Sequence, residues 1–413
     1  MTVRSLQPRR PWEGRRVVLG VTGGIAAYKS VQVARDLTRL GARVDVVMTS
    51  GAQQFIQPLS FQAVTGREVF TDMFSGSGPA AHIRLGTEAD VIVVAPATAD
   101  FLARAAQGMA DDLLATSLLV TRAPVVLSPA MNEKMFGHPQ TQANLKHLQE
   151  ELNYKVVGPA SGPLAYGEGT GPGRMLEPPE IVEYVGWALG REVAWEGRQV
   201  VITAGPTREP LDPVRFLGNR SSGRMGFALA GAAWRRGASV TLVTGPSSLS
   251  DPTGVDTIRV ETGEEMRDQV LALLPTADVL CFSAAGADFK PDTANDQKLK
   301  RSRKGQGMEL KLSPTPDIAL STLDGRKTGT VALGFALETE DLLANARKKM
   351  KEKGFNLIAA NSAVEEGAGF DVNTNRVTIL DTSGGVEQLP LLPKEEVAEK
   401  LLDRLTPLVQ GGS

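Results

Sequence analysis

Trp12-Glu13-Gly14-Arg15-Arg16-Val17-Val18 recurs almost unchanged as Trp195-Glu196-Gly197-Arg198-Gln199-Val200-Val201. Each copy runs into a glycine-bearing turn, Leu19-Gly20-Val21-Thr22-Gly23-Gly24-Ile25-Ala26-Ala27-Tyr28-Lys29 in the first case and Ile202-Thr203-Ala204-Gly205-Pro206-Thr207-Arg208-Glu209 in the second. A buried parallel strand ending in such a turn aims backbone N–H groups at whatever lies above the sheet, usually an anion. A tight strand-to-helix turn that binds nothing is the plainer alternative for either copy taken alone. The duplication predicts an α/β chain of two doubly wound, Rossmann-like domains, residues 1–190 and 191–413, with the boundary near Arg191 to Glu196.

The pattern around both turns agrees. In the first half, apolar runs at Val17 to Val21, Arg43 to Met48, Val91 to Ala95 and Val125 to Leu127 alternate with helical stretches, one of them Ile25 to Leu40 stopped by Gly41. The second half repeats this with Val200 to Thr203, a helix over Gly223 to Arg236 ended by Gly237, Ser239 to Val243, Val279 to Phe282, Val331 to Phe335 and Leu357 to Ala360. Strands apolar along their whole length are those of a parallel sheet covered by helices on both faces.

Two segments break the pattern. The Gly/Pro-rich stretch from Val157 to Pro179 is long for a loop inside a domain and reads as a functional lid or a linker. Asp288 to Gly307 is polar and carries Lys290, Lys298, Lys300, Arg301, Arg303 and Lys304, which fits a solvated loop or a lid closing on phosphates. Farther on, Lys349 and Lys353 share a helix face and repel unless solvent or an anion lies between them.

Composition narrows the functional classes. With 45 basic and 47 acidic residues the chain has no global field favouring nucleic acid or an anionic membrane. The basic N-terminus is interrupted by prolines, and no run reaches the ~18 apolar residues of a membrane span, so a cytoplasmic protein is expected. One cysteine, Cys281, and three histidines without ligand spacing make a disulfide framework or structural zinc site unexpected.

Loops that follow buried strands are where an open α/β sheet places its site. In the first half these are Thr22-Gly23-Gly24-Ile25, Ala95-Pro96-Ala97-Thr98-Ala99-Asp100 and Pro129-Ala130-Met131-Asn132-Glu133-Lys134-Met135, with His82 nearby in Ala81-His82-Ile83-Arg84-Leu85. With these motifs the first half resembles the flavin-containing cysteine decarboxylases. The second half resembles phosphopantothenate–cysteine ligases through Thr203 to Arg215 and through Asn219-Arg220-Ser221-Ser222-Gly223-Arg224-Met225-Gly226. Their fused order, from about Gly14 to about Leu405, is that of the bacterial bifunctional coenzyme A biosynthesis family.

The resemblance implies an N-terminal flavodoxin-like flavoprotein domain holding FMN and a C-terminal nucleotide-binding ligase domain. Thr22, Gly23, Gly24 and Ile25 would receive the FMN phosphate, Thr49 and Ser60 would lie on neighbouring loops, and Ala97 and Thr98 would line the ring system. His82 would handle the substrate's proton, and Asn132 would donate to its carboxylate or amide. The flavin would oxidise the C–S carbon, creating the electron sink that decarboxylation needs, and later return the hydride. In the ligase half, Phe282, Ser283, Ala284, Asp288 and Phe335 would surround CTP. Lys298, Lys349, Lys353 and the helix start Pro316-Asp317-Ile318-Ala319 would meet the phosphates, with Mg²⁺ as counterion. Asn219 would polarise the acyl carbonyl during cytidylate formation, or merely form a turn. Substrates would be 4′-phosphopantothenate, cysteine and CTP, and relatives imply a homo-oligomer, up to a dodecamer of trimeric and dimeric halves.

One departure stands out. Relatives that finish by reduction carry a lid cysteine as the acid, whereas this lid reads Leu164-Ala165-Tyr166-Gly167-Glu168-Gly169-Thr170. Glu168 and Tyr166 are the candidate replacements. Tyr166 is a weak acid at the usual pKa of ~10, and Glu168 needs burial to stay protonated near neutrality. A decarboxylase stopping at the ene-thiol, or a non-catalytic regulatory half, are the competing readings.

Overall fold

Alternate residues of Arg16–Val21 (β1) are buried in two different cores, which is what a strand at the centre of a doubly covered sheet requires. In the computed structural model, which describes residues 10–74, 80–299, 309–338, 340–362 and 372–411, β1 is followed by Ala27–Arg39 (α1) and Arg43–Met48 (β2). Pro58–Thr65 (α2), Val69–Phe70 (β3), Ala81–Thr87 (α3), Val91–Ala97 (β4), Ala99–Gln107 (α4) and Leu113–Val120 (α5) come next. Val125–Pro129 (β5), Glu133–Phe136 (α6), Pro139–Glu150 (α7) and Lys155–Val156 (β6) complete a parallel sheet of order β3-β2-β1-β4-β5-β6. Val17, Leu19 and Val21 pack under α1 and the later helix Pro178–Gly190 (α8), while Val18 faces α3, α4 and α5. Gly20 is required there, since a Cβ on it would lie 2.6 Å from the Leu114 side chain. The strand order reverses between β1 and β4, the Rossmann arrangement, so the loops after these two strands diverge and leave a crevice.

The Gly/Pro-rich stretch is not structureless. Ala160–Pro163 (β7) and Thr170–Arg174 (β8) pair as an antiparallel hairpin with its tip at residues 164–169.

In the second half Gln199–Ala204 (β9) occupies the central place of β1. A short hairpin, Arg208–Pro210 (β10) with Phe216–Gly218 (β11), precedes Arg224–Arg235 (α9), Ser239–Thr244 (β12), Asp256–Arg259 (β13), Gly263–Leu273 (α10) and Val279–Phe282 (β14). A second hairpin, Phe289–Pro291 (β15) with Leu312–Pro314 (β16), brackets the lysine-rich segment, of which residues 300–308 lie outside the described residues. Ile318–Ser321 (α11), Val331–Glu338 (β17), Leu342–Glu352 (α12), Leu357–Ser362 (β18), Thr374–Asn375 (β19), Thr378–Asp381 (β20), Val386–Gln388 (β21), Leu392–Pro393 (β22) and Lys394–Gly411 (α13) follow. The sheet order is β13-β12-β9-β14-β17-β18-β20-β21, parallel up to β18 and antiparallel at β20 and β21. Its reversal, between β9 and β14, matches that of the first half.

The duplicated heptad has the same structural role twice. Arg16 N–H donates to Asp90 and Gln199 N–H to Asp278, both at 2.7 Å, which fixes where the central strand begins. Gly14 and Gly197, at φ +81° and +71°, make the left-handed turn into it. The repeat therefore sits at the strand starts, and any site belongs to the opposite edge of each sheet.

By contact the chain divides at Gly190/Arg191 into two compact units. The first residues of the second unit belong to its packing. Arg236, 6% exposed, donates to Glu192 at 3.0 Å and also pairs with Glu399 and Asp403, while Trp195 Nε1 donates to Thr406 at 2.8 Å. Residues 191–413 expressed alone should consequently fold, and a fragment begun at Trp195 should be less stable by about 2 kcal/mol, a charged hydrogen bond having been removed from a buried guanidinium. Equal denaturation midpoints for the two fragments would contradict this.

Candidate functional site

The crevice beside β1 and β4 is a cleft of about 1240 Å³, large enough for a tricyclic cofactor together with a substrate. Thr22, Gly23, Gly24, Ile25, Thr49, Thr98, Asn132 and Glu168 all line it. Thr22, buried, ties its two sides together: its Oγ1 donates to Pro96 O at 2.8 Å and accepts from Thr98 N at 3.1 Å. Thr98 in turn caps α4, accepting from Phe101 N, and Thr49 Oγ1 accepts from Ala52 N at 3.2 Å. Gly23 lies against the Gly51 backbone, where a Cβ would come within 2.8 Å of its carbonyl carbon. The turn can close on the neighbouring loop only without a side chain.

Asn132 both caps a helix and lines the cleft. Its Oδ1 caps α6 by accepting Lys134 N at 2.9 Å. At the lid tip, Leu164 N donates to Gly169 O and Glu168 N to Ala165 O, both at 2.9 Å, with Gly167 and Gly169 at φ +82° and +80°. This turn brings Glu168 to the cleft, solvent-exposed at its mouth, and leaves Tyr166 fully in solvent outside it.

Three expected residues besides Tyr166 are not brought to this cleft. Ala97 is fully buried inside β4, Ser60 sits half-buried on α2, and His82 lies on α3 with its Nδ1 buried and unpartnered among the described residues. Other residues of the lining carried no strong signal in the sequence. Lys29 Nζ and Arg174 both bind Glu177, joining α1 to the foot of the lid, and the Lys29 hydrogen bond chiefly holds the Glu177 carboxyl below its usual range. Arg104 lies among Asp100, Asp111 and Asp112; burial alone would lower its pKa, but Asp112 and Asp111 outweigh that and raise it. Only their shared proximity in space distinguishes these charges from surface ones.

In the second unit the loops after β9 and β14 meet in the same way. Ser283 Oγ donates to Thr203 O at 2.6 Å, Ala284 N to Thr203 Oγ1 at 3.3 Å, and Ala285 N to Gly205 O at 2.9 Å. Helix α9 begins against this junction because Gly223 and Gly226 have no side chain; a Cβ on Gly226 would lie 2.5 Å from Ala204 Cβ and 2.6 Å from Ser283 Oγ. Asn219 Nδ2 donates to Gly286 O at 2.7 Å and Ala285 O at 3.3 Å. The expectation of a free amide is thus modified: both of its hydrogens are engaged, and they tie residue 219 to the loop after β14, 66 and 67 residues away, rather than forming a local turn.

The remaining candidates separate. Phe282 packs against Phe355 and under Arg326, Phe335 is half-buried in β17, and Asp288 is exposed. Lys349 pairs with Glu338 at 2.6 Å and Lys353 with Asp317 at 2.8 Å, so carboxylates already occupy the space that the sequence leaves for an anion. The helix opened by Pro316-Asp317-Ile318-Ala319 is a single turn, and its N-terminus is capped by Asp317 itself, accepting from Leu320 N. Lys298 is exposed, and no carboxylate among the described residues pairs with it. Among these residues no group of three or more His, Cys, Asp or Glu is placed to hold a metal ion, and no helix is long and apolar enough to cross a membrane.

Two doubly wound units, one with a cofactor-sized cleft and one with a Gly-lined strand junction, define a two-part α/β enzyme. A family model described as Flavoprotein matches residues 5–189, and one described as DNA/pantothenate metabolism flavoprotein C-terminal domain matches residues 195–408. The chain is 42% identical over 398 residues to the coenzyme A biosynthesis bifunctional protein CoaBC of Vibrio parahaemolyticus, covering 96% of this chain and 99% of the relative. The protein of that name from Bacillus subtilis is 43% identical over 399 residues, covering 95% and 97%. A crystal structure of the C-terminal domain of a CoaBC protein aligns at 35% identity with a TM-score of 0.46, over 53% of this chain and 100% of that one. The chain belongs to the bifunctional coenzyme A biosynthesis family, with a flavoprotein decarboxylase half and a ligase half.

Proposed function

We propose that the ligase half joins 4′-phosphopantothenate to cysteine through an acyl-cytidylate formed from CTP, and that the flavoprotein half decarboxylates the product to 4′-phosphopantetheine. The observation that carries this reading is similarity along nearly the whole chain to relatives bearing both halves in this order. The first cleft fits FMN, with Thr22, Gly23, Gly24 and Ile25 at the phosphate and Thr49 and Thr98 beside it. Bound FMN would supply a hydride acceptor and donor for the carbon bearing sulfur. Asn132, its Oδ1 spent on Lys134, has Nδ2 to offer a substrate carboxylate or amide. Glu168 Oε would give the proton that accompanies reduction, once substrate or a second copy covers the lid. Because His82 does not line the cleft of its own chain, its part in the chemistry would come from another copy, in keeping with a homo-oligomer.

In the ligase half, Lys298 would meet the triphosphate, and Mg²⁺ would be held largely by the phosphates and water. For Asn219 to donate to the acyl oxygen, its longer bond, to Ala285 O, is the one to exchange. Mass spectrometry of products formed by the purified protein from phosphopantothenate, cysteine, CTP and Mg²⁺ tests the whole reading. 4′-Phosphopantetheine is expected; accumulation of phosphopantothenoylcysteine would identify a non-catalytic flavoprotein half, and accumulation of the ene-thiol a truncated reaction.

The fit of the cleft has its own test. Gly23→Ala should cost the protein its bound flavin and yellow colour, since the added Cβ has only Gly51 backbone to displace. A yellow Gly23→Ala variant with parental flavin content would remove the 22–25 turn from the cofactor site.

A further inference from the structure

The turn between β10 and β11 is closed by a carboxylate with no exposed side-chain surface. Asp212 Oδ1 accepts from Val214 N at 2.8 Å and from Arg215 N at 2.9 Å, while its Oδ2 accepts from Leu299 N at 3.1 Å, 87 residues further along the chain. The same junction has two more bonds: Arg215 Nη2 donates to Leu299 O at 3.1 Å, and Asn295 N donates to Leu211 O at 3.0 Å. Leu299 directly follows Lys298, and β11 leads in a single step to Asn219. One buried group thereby sets the place of two chain segments, each bearing a residue of the ligase site. Burial by itself would push the Asp212 carboxyl upward, but the three N–H donors and the Arg215 charge outweigh it and hold it below the usual carboxylate range, keeping the acceptor ionised.

We propose that Asp212 is a positioning residue for nucleotide activation, fixing the backbone beside Lys298 so that its ammonium group meets the triphosphate. The proposal rests on the reading of Lys298 as the phosphate-binding lysine. A flexible lysine on an unanchored segment still reaches the phosphates but spends little time in the productive place, and a misplacement of about 1 Å can cost about 100-fold. An amide at position 212 keeps the volume but turns N–H groups toward one or more of the three donors.

The experiment is a double-mutant cycle in the full-length chain, reading CTP-dependent formation of phosphopantothenoylcysteine. Asp212→Asn should lower kcat about 10- to 100-fold with a smaller change in the KM for cysteine. Decarboxylation of supplied phosphopantothenoylcysteine should stay at the parental rate. Adding Lys298→Gln to Asp212→Asn should slow ligation no more than Lys298→Gln alone. Losses that multiply, or ligation by Asp212→Asn at the parental rate, overturn the proposal while leaving Lys298 in its role. Lys298→Gln at the parental rate removes the reading underneath and the proposal with it. Should the Asp212→Asn variant not fold, hydrogen exchange in the parent decides: the Leu299 amide is expected to be protected, and exchange at the rate of a free chain overturns the proposal.

Discussion

Lys298→Gln is expected to slow CTP-dependent ligation about 100- to 1,000-fold while leaving the flavin spectrum and the decarboxylation of supplied phosphopantothenoylcysteine unchanged. The size follows from removing one preorganised charge from a site where charge develops on a transferring phosphoryl group. The choice of lysine follows from the ion pairs. Lys349 and Lys353 are each neutralised by a carboxylate 2.6 and 2.8 Å away, whereas no described carboxylate competes for Lys298. For the same reason Lys349→Gln should act mainly by freeing Glu338, with a smaller loss. Initial rates over a range of CTP concentrations provide the check. A Lys298→Gln variant turning over like the parent would make the lysine a solvated surface residue.

Glu168→Gln should separate the two halves of decarboxylation. CO₂ release persists, because it depends on oxidation at the carbon bearing sulfur, but the fully reduced thiol should form about 100-fold more slowly, the contribution typical of a positioned acid. Tyr166→Phe should behave like the parent, since the lid turn sends that side chain into solvent and Glu168 into the cleft lining. The measurement is mass spectrometry of the thiol and ene-thiol products alongside CO₂ release. Full reduction at the parental rate by Glu168→Gln would transfer the proton to water or to the substrate.

Much of this was legible in the residues alone. The repeated heptad, the apolar strands and the helix-ending glycines announce two sheets covered on both faces, because burial on both sides leaves a strand no polar positions. The glycine turns after β1 and β9 are equally plain, since close backbone approach or a left-handed φ excludes a side chain: Gly23 lies against the Gly51 backbone, and Gly205 has φ +74° with Gly245 O 3.1 Å from where a Cβ would stand. Strand order, the antiparallel β20 and β21, and the hairpins inside the two unusual segments were not legible: which strand lies beside which is decided by packing between residues far apart in sequence.

The same division runs through the site. Sequence alone determined which residue types stand after which strand, and so the family, because those choices are local. Only the tertiary structure decided which of those groups are free to act. Lys349 and Lys353 look like an anion site until Glu338 and Asp317 fold onto them, Asn219 looks like a free donor until Gly286 and Ala285 accept from it, and Tyr166 and Glu168, two residues apart, part company at a turn set by two glycines. Asp212 shows the converse: an ordinary acidic residue in the sequence becomes an anchor once Leu299 arrives from 87 residues away. Charge and hydrogen-bonding capacity are written in the chain, but whether they are already spent depends on distances that only folding sets.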